Sequence, residues 1–306
     1  MSSSDPAAAA PETARLSNGQ ARLVAAGLAA ALLVGIVVAV EVYGSGDWAG
    51  AARAAGATLS DRAFWIAAAV GLFAQVVDGA LGMAYGVTST SFLLAAGVPP
   101  AAASASVHVA EIFTTGFSGL SHWRLGNVDR ALFRRLLLPG MAGAVGGAYL
   151  LTNVAGDTLK PWITAYLLVM GLSILIKAFG TVRLRRKPPT YVAPLALAGG
   201  FVDAVGGGGW GPVVTTSLVG GGQDPRTTIG SVNAAEFFVA VTSGLSLTLL
   251  GGLTAVTTIA GLVIGGLFAA PFAALLVRAL PPRALMITVG LLIVGLSAFN
   301  LLMLLR

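Results

Sequence analysis

Four consecutive glycines, Gly206 to Gly209, then Trp210, Gly211 and Pro212, interrupt an otherwise apolar run from Phe201 to Ser217. No continuous helix is expected through them, because glycine is a weak helix former and Pro212 lacks an N–H and obstructs the turn before it. The run should split into two half-helices around an irregular segment. An earlier stretch, Val76 to Ser91, has the same layout. Placing Asp78 on Asp203 aligns Asp78–Ser121 with Asp203–Ser246 without gaps, with 16 of 44 positions identical. We read an internal duplication.

Of the 306 residues, 10% are charged and 56% hydrophobic. Several windows of about 20 residues carry at most one charge, the length a helix needs to cross the hydrocarbon layer. The sequence is that of an all-α integral membrane protein. There is no cysteine, which excludes disulfides, thiolate metal sites and thiol catalysis. The net charge of +6 does not point to nucleic acid, since the basic residues cluster in short loops beside apolar spans. Walker, HExxH and nucleophile-elbow motifs are missing, and Gly206 to Gly211 lacks the flanking strand and acidic residue of a dinucleotide site. No enzyme activity, metal or cofactor is expected.

Residues 1–20 read as a disordered tail and 21–43 as an extra transmembrane helix outside the duplication. Residues 49–61 form a small-residue linker or short interfacial helix. The first repeat covers 62–180: a half-helix from Arg62 to Val77, a break from Asp78 to Gly86, a half-helix from Val87 to Gly97, and spans at 101–123, 136–155 and 161–179. A basic loop at 181–190 precedes the second repeat, 191–306. Its half-helix runs from 191 to 204, its break to Pro212 and its second half-helix to Gly220; spans follow at 227–250, 254–277 and 283–305.

Half-helices of 11 to 16 residues reach about halfway through a bilayer at 1.5 Å per residue, which suits a re-entrant hairpin. With two hairpins the repeats are inverted and more of the Lys and Arg residues fall on the cytoplasmic side. With single crossings the repeats are parallel. The positive-inside rule favours inversion, a recurrent transporter plan in which substrate sits where paired broken helices stop.

Unwound backbone at membrane depth survives only inside protein or facing a water-filled cavity. Gly82, Gly86, Gly207, Gly208, Gly209 and Gly211 would let a ligand approach that backbone, and the half-helix N-termini would turn free N–H groups toward a small anion. The hydroxyls of Thr88, Ser89 and Thr215 follow the breaks as donors, though Ser and Thr in membrane helices often bond to their own backbone. Ser106, His108 and Glu111 are matched by Ser231, Asn233 and Glu236, and His108 and Glu111 share a helix face at i, i+3. Glu111, Glu236, Asp78 and Asp203 are four acids at membrane depth, where ionisable groups are costly and mark function. An anion would not enter beside four carboxylates, so protonation during transport is expected, with Glu111 and Glu236 as carriers. Asp78 and Asp203 have the alternative role of capping the half-helices. Tyr85 and Trp210 are matched aromatics for which packing is the plainer role.

These breaks, with the GVPPAAASASVHVAE and GGQDPRTTIGSVNAAE stretches that follow them, resemble the TauE/SafE sulfite exporter family of membrane permeases over residues 62–305. The resemblance implies a bacterial inner-membrane, multi-pass carrier of sulfite, thiosulfate or a small organosulfonate. It places substrate contact at the glycine-rich breaks and on the helices of Ser106 and Ser231. His108, Glu111 and Glu236 depart from the amides often found at these positions, which leaves the anion and the coupling ion open. A passive anion channel and a non-transporting scaffold or sensor are the alternatives. Homo-oligomerisation stays open.

Overall fold

The computed structural model describes residues 48–81, 83–179, 190–252, 255–279 and 282–304. The expected tail at 1–20, the helix at 21–43, Gly82 and nearly all of the 181–190 loop lie outside them. Among the described residues there are helices and turns and no strand.

Helix α1, Trp48–Ser60, meets α2, Arg62–Leu81, at a bend of 74°. Asp61 makes the corner, its Oδ1 accepting from the Ala63 amide at 2.8 Å in the manner of an N-cap. After the first break come α3, Tyr85–Ala95, and α4, Pro100–Arg124. Gly97 ends α3 at φ 84°, and the following Pro99-Pro100 pair starts α4. Helices α5, Arg130–Asn153, and α6, Gly156–Ala178, complete the first half. The second half has α7, Val192–Gly206, a single π-helical stretch at Gly211–Thr215 running into α8, Thr216–Gly220, then α9, Pro225–Gly251, α10, Val256–Ala279, and α11, Pro282–Leu304.

Both breaks are shorter than the sequence suggests. Helix α2 continues to Leu81, so Asp78 sits in its last turns, and the second half-helix already begins at Tyr85 rather than Val87. At the second break α7 runs to Gly206 and helical structure resumes at Trp210. The reason is capping: each aspartate holds the chain just past the break, so only residues that must turn leave the helix. With 20 residues, about 30 Å, α2 is also longer than the expected half-span.

Among the described residues four helices are long and apolar enough to cross a membrane, at Arg130–Asn153, Gly156–Ala178, Pro225–Gly251 and Met286–Leu304, and a fifth if the bent α1–α2 pair counts as one span. Helix α4 has the length at 25 residues but not the apolarity. Its polar residues Ser104, Ser106, His108, Glu111, Thr114 and Thr115 are all buried in protein, where they avoid lipid.

The two halves interlock. Helix α2 packs on α10 and α7 on α5, while α4 pairs with α9 and α6 with α11. Exchanging each element with its counterpart in the other half leaves this pairing unchanged. The crossed pairs are close because glycines face backbone: Gly261 and Gly265 of α10 lie on the carbonyls of Phe64 and Ala68, and Gly143 and Gly147 of α5 on those of Leu197 and Phe201. Small residues spaced by four are what membrane helices use for such approach.

Candidate functional site

The two breaks are built alike. Asp78 Oδ1 accepts from the amides of Ala84 at 2.9 Å and Tyr85 at 3.3 Å. Asp203 Oδ1 accepts from those of Gly209 at 2.6 Å and Trp210 at 2.9 Å. Each carboxylate reaches six and seven residues along the chain, across the break, to the N-terminus of the half-helix beyond. The capping role foreseen for both aspartates is what they do here, and it commits two of the amides at each N-terminus. Gly207 turns the chain at φ 64°, a conformation that side chains with a Cβ adopt at a cost.

The breaks meet face to face. A Cβ on Gly86 would stand 2.5 Å from Gly208 Cα and 2.8 Å from both the Gly207 carbonyl and Glu111 Oε1. One on Gly211 would stand 2.7 Å from Met83 Cα. Thr90 of α3 donates to the Gly207 carbonyl at 2.6 Å, and Tyr166 of α6 to the Gly208 carbonyl at 3.1 Å. The glycines are therefore needed for contact between the two breaks as well as for turning.

Where they meet lies a narrow cleft with a free volume of about 10 Å³, room for a single water. Asp78, Glu111, Asp203 and Glu236 all line it, together with Met83, Tyr85, Gly86, Val87, Gly208, Gly209, Gly211 and Pro212. The four acids thus converge, although they come from α2, α4, α7 and α9. Among the described residues no Lys or Arg lines the cleft. Glu111 is 3% exposed and its Oε2 has no hydrogen-bond partner.

His108 is fully buried, and its Nε2 lies 3.0 Å from Asp203 Oδ2. Its Nδ1 lies 2.8 Å from the Ser104 carbonyl, and the Ser104 hydroxyl donates to the Ala204 carbonyl at 2.6 Å. His108, Glu111 and Asp203 offer ligand atoms within 4.8 Å of one another. The separation of Nε2 and Oδ2 is itself that of a hydrogen bond. This pairing across 95 residues is invisible to helix periodicity, which couples His108 to Glu111. Asn233, the counterpart of His108, bonds instead to Ser118 Oγ at 3.1 Å.

The hydroxyls divide. All three of Thr88, Ser89 and Thr215 are fully buried; among the described residues the hydroxyls of Thr88 and Thr215 have no hydrogen-bond partner, and that of Ser89 lies beside the Tyr85 phenol. Ser106 donates to the Ala102 carbonyl of its own helix at 2.7 Å. Ser231 donates to the Thr227 carbonyl at 2.7 Å and accepts from the Asp129 amide at 2.8 Å, tying the loop before α5 to α9. Neither Ser106 nor Ser231 lines the cleft. Trp210 is fully buried and donates through Nε1 to the Val232 carbonyl at 3.1 Å; Tyr85 donates to that of Leu262 at 3.2 Å. Packing roles suit both. Tyr166 and Met83 are contributors that sequence reasoning missed: Tyr166 lies in an ordinary apolar span beyond the aligned stretches, and Met83 aligns with a glycine, Gly208.

Comparison with known proteins gives a consistent result. The family model described as "Sulfite exporter TauE/SafE" matches residues 67–300. A "Probable membrane transporter protein YtnM" of Bacillus subtilis (strain 168) is 43% identical over 244 residues, 76% of this chain and 80% of that protein. A "Probable membrane transporter protein ORF9" of Sinorhizobium sp is 32% identical over 150 residues, 48% of this chain and 56% of that protein. No solved structure matches.

Proposed function

The chain belongs to the sulfite exporter TauE/SafE family and is a multi-pass membrane transporter of that type, and we propose that it exports a small sulfur-containing anion such as sulfite, thiosulfate or an organosulfonate, coupled to protons. The observation that carries the reading is the cleft itself: two matched helix breaks meet in the protein interior, and four acids line their meeting point. Unwound backbone at that depth needs such a cavity. The family's description supports the choice of anion, and the bacterial relatives support a place in the inner membrane.

With all four acids ionised the cleft would repel an anion, since charges a few ångströms apart interact strongly in a low-dielectric interior. Protonation of Glu111 and Glu236 halves the negative charge and leaves Asp78 and Asp203 as caps, their charge shared with the amides they accept from. The anion then meets the backbone edge at Gly86, Gly208 and Gly211. The interlocked pairing of the halves supports the duplication, and we read the repeats as inverted about the cleft, so that rocking of one half against the other gives alternating access.

The test is flux in proteoliposomes for sulfite, thiosulfate, sulfoacetate, taurine and sulfate, with and without a pH gradient. We expect one or more sulfur anions to move uphill when the gradient is applied, and Glu111→Gln to flatten the pH dependence. Flux that no gradient can drive uphill would identify a passive channel instead.

A further inference from the structure

We propose that His108 and Asp203 together hold one proton, and that this proton fastens the first half of the chain to the second beside the cleft. Its part in coupling rests on the transporter reading; its presence rests on hydrogen-bond chemistry alone. The Ser104 carbonyl, 2.8 Å from His108 Nδ1, can only accept, and the Ser104 hydroxyl, 3.3 Å from the same nitrogen, gives its one hydrogen to the Ala204 carbonyl, so Nδ1 carries a hydrogen. In a neutral ring Nε2 would then be bare and would face a carboxylate oxygen at 3.0 Å. Two acceptors at that separation repel, and the repulsion is least screened where both groups are buried, as here. A proton between them turns the contact into a charge-assisted hydrogen bond. Asp203 Oδ1 already accepts two amides, which favours the carboxylate form and leaves the proton on the ring.

The described residues around the pair supply no competing positive charge. Facing the pair are Glu111 from its own helix, Asp78 from α2, Glu236 from α9, Tyr85 from α3 and Tyr166 from α6. All are acidic or neutral. The proton therefore lies at the seam between α4 of the first half and α7 of the second, next to the bond from Ser104 to the Ala204 carbonyl. Its loss replaces attraction with repulsion at that seam and loosens it. A carboxylate oxygen of Glu111 lies within 4.8 Å, in the same cluster. The second half has Asn233 at the matching position, so the site is single rather than duplicated.

The chain has two histidines, which makes a direct measurement practical. Protein carrying His122→Gln and ¹⁵N-labelled histidine, purified in detergent micelles, is examined by NMR at about pH 7. Both ring nitrogens of His108 are expected to carry hydrogen. Adding Asp203→Asn should leave one bare ring nitrogen, and Asp203→Glu should restore the doubly protonated ring; gel filtration confirms that each variant is folded. A bare nitrogen with Asp203 intact overturns the proposal. So does a ring signal that moves on adding Na⁺ or Zn²⁺ at fixed pH, which would assign the site to a cation. A doubly protonated His108 in a protein that moves no sulfur anion would uphold the proton site while sinking the transport reading.

Discussion

Three glycine-to-alanine changes separate what a turn costs from what contact between the breaks costs. Gly126 has φ 69° and open space around it, so Gly126→Ala should lose only the left-handed conformation, about 1–2 kcal/mol. Gly86 lies in α3, where alanine is otherwise favoured by up to about 1 kcal/mol. Its Cβ, however, would stand 2.5–2.8 Å from Gly208 Cα, the Gly207 carbonyl and Glu111 Oε1. Two of those are backbone atoms that cannot rotate away, and overpacking of this kind costs about 1–3 kcal/mol or more. Gly207 suffers both effects. At φ 64° its Cβ would run into the Thr90 hydroxyl and stand 3.2 Å from Ser104 Cα. The conformational cost, the displaced Thr90 hydrogen bond of about 1 kcal/mol and the crowding sum to roughly 3–4 kcal/mol. Unfolding midpoints in detergent, followed by tryptophan fluorescence, should therefore fall further for Gly207→Ala than for Gly126→Ala. At roughly 2 °C per kcal/mol the two should differ by several degrees. If Gly207→Ala were no worse than Gly126→Ala, the breaks would not be pressed together and the cleft would lose its walls.

Other outcomes follow from the caps and the helix seams. Asp129→Ala removes the acceptor for the Ala131 amide at 2.8 Å and the Leu132 amide at 3.2 Å, and should cost about 1 kcal/mol in the same melt. Asp224 is held below the usual carboxylate range, first by the Thr227 amide and then by the Thr227 hydroxyl. Its contribution is thus present above the ordinary aspartate value and lost as pH falls through the lowered one, so the wild-type advantage over Asp224→Ala should begin to shrink below about pH 3.9 and vanish once the pH has passed the lowered value. Gly143→Leu should prevent α5 from packing on α7, since the site faces the Leu197 carbonyl. Loss of a monodisperse gel-filtration peak would report it, whereas a normal peak would contradict the close approach.

The sequence by itself determined the membrane class, the two breaks and the four acids, because each is a local property. Apolar length, runs of glycine with proline, and carboxylates inside apolar spans are legible without knowing what touches what. Periodicity also placed Glu111 and His108 on one face of α4. Only the tertiary structure decided how wide the breaks are, because the capping bonds of Asp78 and Asp203 reach back across them and keep Leu81, Tyr85 and Trp210 helical. Only it turned Ser106 and Ser231 away from the cleft, and joined His108 to a carboxylate 95 residues on. Such partners are fixed by how the interlocked halves cross, and a crossing depends on which glycine meets which carbonyl in space, information that no stretch of chain carries alone.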